Sequence, residues 1–156
     1  MDAFNAASTT LHAAVAGPWS NAFLGLPWLE RGLTRDGVAC WGLARLVYAE
    51  VLGLQVPDYC AEVVSLQERA EVAAVFDKGV KVGPWVLVDQ PAAFDIAVFR
   101  RAGIAAHVGI VVTPGRMLHI TSGQDSSVVD YSTGCWSPRL SGFYRHRAMM
   151  EAAGDR

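Results

Sequence analysis

Charge is scarce in this chain. Asp, Glu, Lys and Arg make up 18% of its 156 residues, and 13 basic against 15 acidic side chains leave a net charge of −2. No basic run or stripe offers itself to a phosphate backbone, which argues against sequence-specific nucleic-acid binding. Cysteine is equally sparse. Cys40, Cys60 and Cys135 are odd in number with no close pair, so neither a disulfide framework nor a CxxC zinc site is encoded. Apolar stretches are broken by charge, Gly or Pro short of the ~18–20 residues that a membrane-crossing helix needs. The Ala-rich start has no basic segment and carries Asp2. It reads as an extension over residues 1–18 that could dock on a larger assembly, not as a secretion signal, and the protein as one made in the cytoplasm.

What is present suffices for one core. With 52% hydrophobic and 10% aromatic residues, a chain of this length is expected to fold as a single domain, here over residues 19–146 with a tail at 147–156. The stretch 19–37 reads as a short helix and a loop. A helix is expected over about 38–52, capped by Asp36 and stopped by Gly53, with Cys40, Leu43, Ala44, Val47 and Val51 along one apolar stripe. A second helix is expected over about 60–78. From residue 79 the pattern turns to short strands: 85–88, 94–99, 107–112, 116–121, 127–131 and 140–146, with Pro114-Gly115 as a hairpin turn. Helices first and antiparallel strands after define an α+β fold, its helices packed on one face of the sheet.

Strand alternation puts His107, Gly109 and Val111 on one face, and Met117, His119 and Thr121 on one face of the next strand. If the hairpin pairs these strands, the two imidazoles can meet. A helix bearing Cys40, laid across that side, would complete a Cys–His–His line. An unperturbed thiol with pKa ~8.5 is only ~3% thiolate at neutral pH, and a helix start with a nearby imidazolium can lower that pKa to ~5. His107 would take the thiol proton and return it to a leaving amine, while His119 fixed the ring of His107. A structural reading stands beside this one, because cysteine is among the most buried residue types. Zinc held by Cys40, His107, His119 and Cys135 would lack the close ligand pair of structural sites; no metal or other cofactor is expected.

The segments Asp36-Gly-Val-Ala-Cys40-Trp-Gly-Leu-Ala-Arg-Leu-Val-Tyr48, Phe94-Asp-Ile-Ala-Val-Phe99, His107-Val-Gly-Ile-Val-Val112 and Met117-Leu-His119-Ile carry a family resemblance. Together, over residues 19–146, the chain resembles the NlpC-type cysteine peptidases, papain-like hydrolases of the bacterial cell wall. The resemblance implies Cys40 as nucleophile, His107 as base and His119 as third member. Its implied substrate is the peptide stem of peptidoglycan, typically the bond between D-glutamate and a diamino acid. Cys-Trp-Gly and the closing Gly142-Phe-Tyr-Arg-His146 look most like the branch carried by tails of bacteriophages and gene-transfer particles. That branch implies tail or hub proteins as partners and action on the periplasmic wall.

Ala39 and Trp41 stand where the family often has Asp and Ser, and Trp28 where it has a Tyr beside the thiol. Backbone N–H of Cys40 is then the expected oxyanion donor, with Trp28 Nε1 as the second. Trp41 and Trp136 could line a substrate groove. Asp95 could order the loop beside the site or serve a strand-end turn. Two other readings remain: a non-catalytic tail subunit of the same fold, and an acyltransferase or amidase.

Overall fold

Period-two alternation from Trp85 onward produces strands that pair antiparallel throughout. The computed structural model of the protein describes residues 18–56, 84–101 and 104–154. Six strands, β3 (Trp85–Val88), β4 (Ile96–Arg101), β5 (Ile104–Thr113), β6 (Arg116–His119), β7 (Ser127–Asp130) and β8 (Leu140–His146), form one sheet. Their spatial order is β3-β8-β4-β5-β6-β7. The β5–β6 hairpin closes through Pro114-Gly115, where Gly115 takes φ +96°, a left-handed position that favours glycine. The fold is thus mixed α and β around an antiparallel sheet, as the sequence implies.

Ahead of the sheet, a 3-10 turn at Trp19–Phe23 leads to a two-stranded ribbon, β1 (Leu33–Thr34) and β2 (Gly37–Val38). Helix α1 (Cys40–Val47) follows directly, and α2 (Arg147–Gly154) ends the described chain. Leu43, Ala44 and Val47 of α1 pack with Val98, Val108, Ile110 and Leu118 in the main core. A smaller core of Ala97, Phe99, Val111, Met117 and Tyr131 lies on the other face, where residues 131–139 cross the sheet.

Several expectations need correction. Asp36 does not cap α1: it sits in the turn between β1 and β2, and Ala39 holds the cap position without a side-chain hydrogen bond. The helix is regular only to Val47. A wider π turn runs over Tyr48–Leu52 before Gly53 ends it at φ +67°. That change of pitch rotates the stripe, which buries Tyr48 and leaves Val51 exposed. Within the tail, residues 147–154 form a helix. Residues 1–17 and the second helix expected over 60–78, with His12 and Cys60, lie outside the described residues. Among the described residues no helix is long and apolar enough to cross a membrane.

Candidate active site

Two imidazoles meet on the sheet. His107 on β5 pairs across from Phe99 on β4, and His119 ends β6. Alternation turns both rings to the same face, and the hairpin brings His107 Nε2 to 3.0 Å from His119 Nδ1. His119 is 6% exposed, and burial alone lowers its pKa to about 4. It is therefore neutral at pH 7. In the tautomer that carries its proton on Nε2, a neutral His119 would accept at Nδ1; His107 Nε2 would then hold a proton and His107 Nδ1 be the basic nitrogen.

The smaller core closes over this pair. The indole of Trp136 stacks on His107 at 4.8 Å between ring centroids, 25° from parallel, and meets His119 edge-on at 5.1 Å. Phe99 lies 6.2 Å from the His107 ring and 5.2 Å from Trp136. The sequence offers Trp136 as a residue that could line a groove; its contact with both histidines has no sequence signal, because 16 residues separate it from His119.

Cys40 is the first residue of α1 and is half-buried. Ala39 N–H is bound by Gly32 O at 3.1 Å, and Ala39 O accepts Leu43 N–H at 2.9 Å, so the helix begins firmly at Cys40. Gly42 is required two residues later: a Cβ there would lie 1.8 Å from Gly32 O. With no capping side chain, the N–H groups of this first turn are directed along the helix axis, the arrangement that suits an anion. The body of α1, however, packs on the face of Val108 and Ile110, opposite the face of His107, Val111 and Met117. The expectation of a helix laid across the histidine face is corrected for the body of α1, which the apolar even positions of β5 draw to the other side; Cys40 stands at the first position of that helix.

A polar clamp ties the two regions together. Ser126 Oγ donates to Phe23 O at 2.5 Å and accepts Leu26 N–H at 2.8 Å, while Gly25 N–H binds Ser126 O and Ser126 N–H binds Leu26 O, each at 2.9 Å. Ser127, the next residue, is in register with His119. On its far side the same loop binds β2: Val38 N–H donates to Pro27 O at 2.9 Å and Leu29 N–H to Val38 O at 3.0 Å. Three hydrogen-bonded segments therefore run from His119 to the backbone two residues before Cys40. Sequence reading missed Ser126, one serine of several in a polar turn.

The remaining candidates fall elsewhere. Trp28 is bridged to Val38 and half-buried beside the main core. Trp41 is 3% exposed and edge-on to Trp85 at 5.9 Å, a core side chain; its expected place in a groove is corrected. Asp95 is 1% exposed, paired with Arg145 through two 2.8 Å contacts, and accepts Ala92 N–H. It lies four residues from Phe99, roughly 13 Å along the strand from the level of His107. Cys135 is an exposed thiol. Among the described residues no three His, Cys, Asp or Glu side chains gather as metal ligands.

Comparison with known proteins agrees with this fold. The NlpC/P60 family model matches residues 25–145. No curated protein matches the chain. The NlpC/p60 domain of the peptidoglycan hydrolase SagA is similar at 20% identity and a TM-score of 0.55, over 81% of this chain and 92% of that one. An NlpC/P60 family protein from Bacillus cereus ATCC 10987 shares 22% identity at a TM-score of 0.59, over 80% of this chain and 36% of its own. A protein similar to lipoprotein of the NLP/P60 family from Staphylococcus aureus shares 19% identity at 0.57, over 89% of this chain and 41% of its own. This chain thus spans less than half the length of those two. The family match takes in Cys40, both histidines and every strand from β3 to β7, and by it the chain belongs to the NlpC/P60 family of cell-wall peptidases.

Proposed function

We propose that this protein is a cysteine endopeptidase that cleaves peptide stems of peptidoglycan, with Cys40 as nucleophile, His107 as base and His119 as the residue that orients it. The observation that carries the reading is the 3.0 Å contact from His107 Nε2 to a buried, neutral His119, which suits His119 to orienting the ring of a base. His107 Nδ1 takes the proton from Cys40 Sγ. The thiolate attacks the scissile carbonyl, and the oxyanion is held by first-turn N–H groups of α1, with Trp28 Nε1 as second donor. The intermediate collapses as His107 gives its proton to the leaving amine. Water, deprotonated by the same nitrogen, then releases the acyl group and restores the thiol.

The bond we assign is D-glutamyl to diamino acid, and the setting is the tail of a phage-like particle, where local opening of the wall lets DNA pass. Cys-Trp-Gly and the Gly142–His146 ending support that setting, and tail or hub proteins would be its partners. Clearing of purified peptidoglycan, with fragments read by mass, tests the proposal. Wild type should release stem fragments with a new D-glutamate terminus, and Cys40→Ala none. Equal release by both would remove the enzyme reading, and a different terminus would reassign the bond.

A further inference from the structure

We infer that Trp136 is a positioning residue, whose indole roofs the His107–His119 hydrogen bond and keeps water from it. The inference rests on the peptidase reading for its catalytic consequence, but its physical content stands on ring geometry. One indole meets both partners of a single hydrogen bond, stacked on one ring and edge-on to the other. An imidazole can rotate about its last side-chain bond, so a bond between two imidazoles at a sheet surface would be frayed by water unless covered. Stacking restricts that rotation for His107, and its Nδ1 then keeps one direction.

The loop carrying Trp136 is built to hold still. Tyr131 at its root is buried among Phe99 and Phe143, its N–H binds Gly115 O at 2.9 Å, and its hydroxyl accepts Gly115 N–H at 2.8 Å. Asp130 Oδ1 takes both the N–H and the hydroxyl of Ser132, and Arg139 N–H closes a turn on Trp136 O. The Arg139 guanidinium lies 5.8 Å from the indole centroid. Both ends of the loop are thus pinned, and the indole is held against the imidazoles from a fixed base.

Removing the roof should admit water to His119. The titratable groups on the elements around it are Arg116 on its own strand β6, His107 on β5, Asp130 on β7, Cys40 at the start of α1, and Tyr131, Cys135 and Arg139 in the covering loop. Of these His107 is in hydrogen-bond contact, and burial is the sole cause found for the lowered pKa of His119. Hydration should therefore return His119 toward its ordinary value. An imidazolium at His119 would then appear beside His107 in mildly acidic solution, where wild-type His119 is neutral.

The test is an NMR titration of the imidazole nitrogens in the full chain, for wild type, Trp136→Ala and Trp136→Phe. We expect the His119 midpoint to move from about 4 toward ~6.5 in Trp136→Ala, with Trp136→Phe between the two. In parallel, kcat/KM of Trp136→Ala should fall at least ~tenfold further at pH 5 than at pH 7.5, since a midpoint of ~6.5 leaves only ~3% of His119 neutral at pH 5. An unmoved His119 in a folded variant overturns the inference, as does a uniform loss of activity at all pH values. Should Trp136→Ala not fold, Trp136→Phe decides by the same two readouts. The titration needs no turnover, so a wild type without peptidase activity would sink the proposed function and leave the positioning role still decided by NMR.

Discussion

His119 couples the site to the stability of the whole chain. Its folded pKa, about 4, lies below the ordinary ~6.5, so in between the unfolded chain binds a proton that the native protein refuses. Its contribution to stability is therefore fully present above about pH 6.5 and is lost as pH falls toward 4. A gap of this size corresponds to about 3 kcal/mol. Urea unfolding should show the native state losing roughly 2–3 kcal/mol more between pH 7 and 4.5 in wild type than in His119→Asn, which keeps an acceptor but does not titrate. Parallel stability curves would mean that His119 is not the refused proton. The same burial that costs stability in acid keeps His119 neutral, the only charge state in which its Nδ1 is able to accept from His107.

At the scale of elements, the loop between the 3-10 turn and β1 is held by one hydroxyl. Ser126 Oγ serves Phe23 O and Leu26 N–H at once, inside a site that is 4% exposed. Ser126→Ala orphans both, at a cost of about 1–3 kcal/mol. Amide exchange at Gly25 and Leu26 should quicken with the loop, while β4 and β5 keep their protection; unchanged exchange at Leu26 would show that the clamp is not what fixes this segment. This loop was also the least legible part of the sequence. Strands of two residues such as Leu33–Thr34 and Gly37–Val38 are too short to show alternation, so Asp36 between them read as a helix cap. Longer elements were legible. Residues 140–146 and 85–88 were read to their ends, and alternation together with the Pro114-Gly115 hairpin brought the two histidines to one face. The face taken by α1 was not legible, since a period-two pattern has two sides and both sides of β5 are apolar. Val108 and Ile110 serve one and Val111 the other.

Across the whole molecule, the sheet carries a histidine pair at one level and an ion pair at another, each held by different parts of the chain. Asp95, before β4, meets Arg145 of β8, whose guanidinium also donates to Gln90 O at 3.0 Å. Next to it Phe94 is forced to φ +74°, a costly position for a side chain with a Cβ, and its carbonyl accepts the Tyr48 hydroxyl while Trp19 stacks on its ring at 4.6 Å. The 3-10 turn, the end of α1, β4 and β8 thus converge on one point. Arg145→Met would leave the Asp95 carboxylate buried without its cation, costing about 3 kcal/mol, whereas adding Asp95→Asn removes the stranded charge and should restore a good part of that loss. A double variant no more stable than Arg145→Met would mean the carboxylate finds another partner. The ion pair lies roughly 13 Å along the strand from the level of His107. Its loss should therefore lower the unfolding midpoint while the His119 titration stays in place, because a sheet braced separately at that point need not transmit the break to the imidazoles.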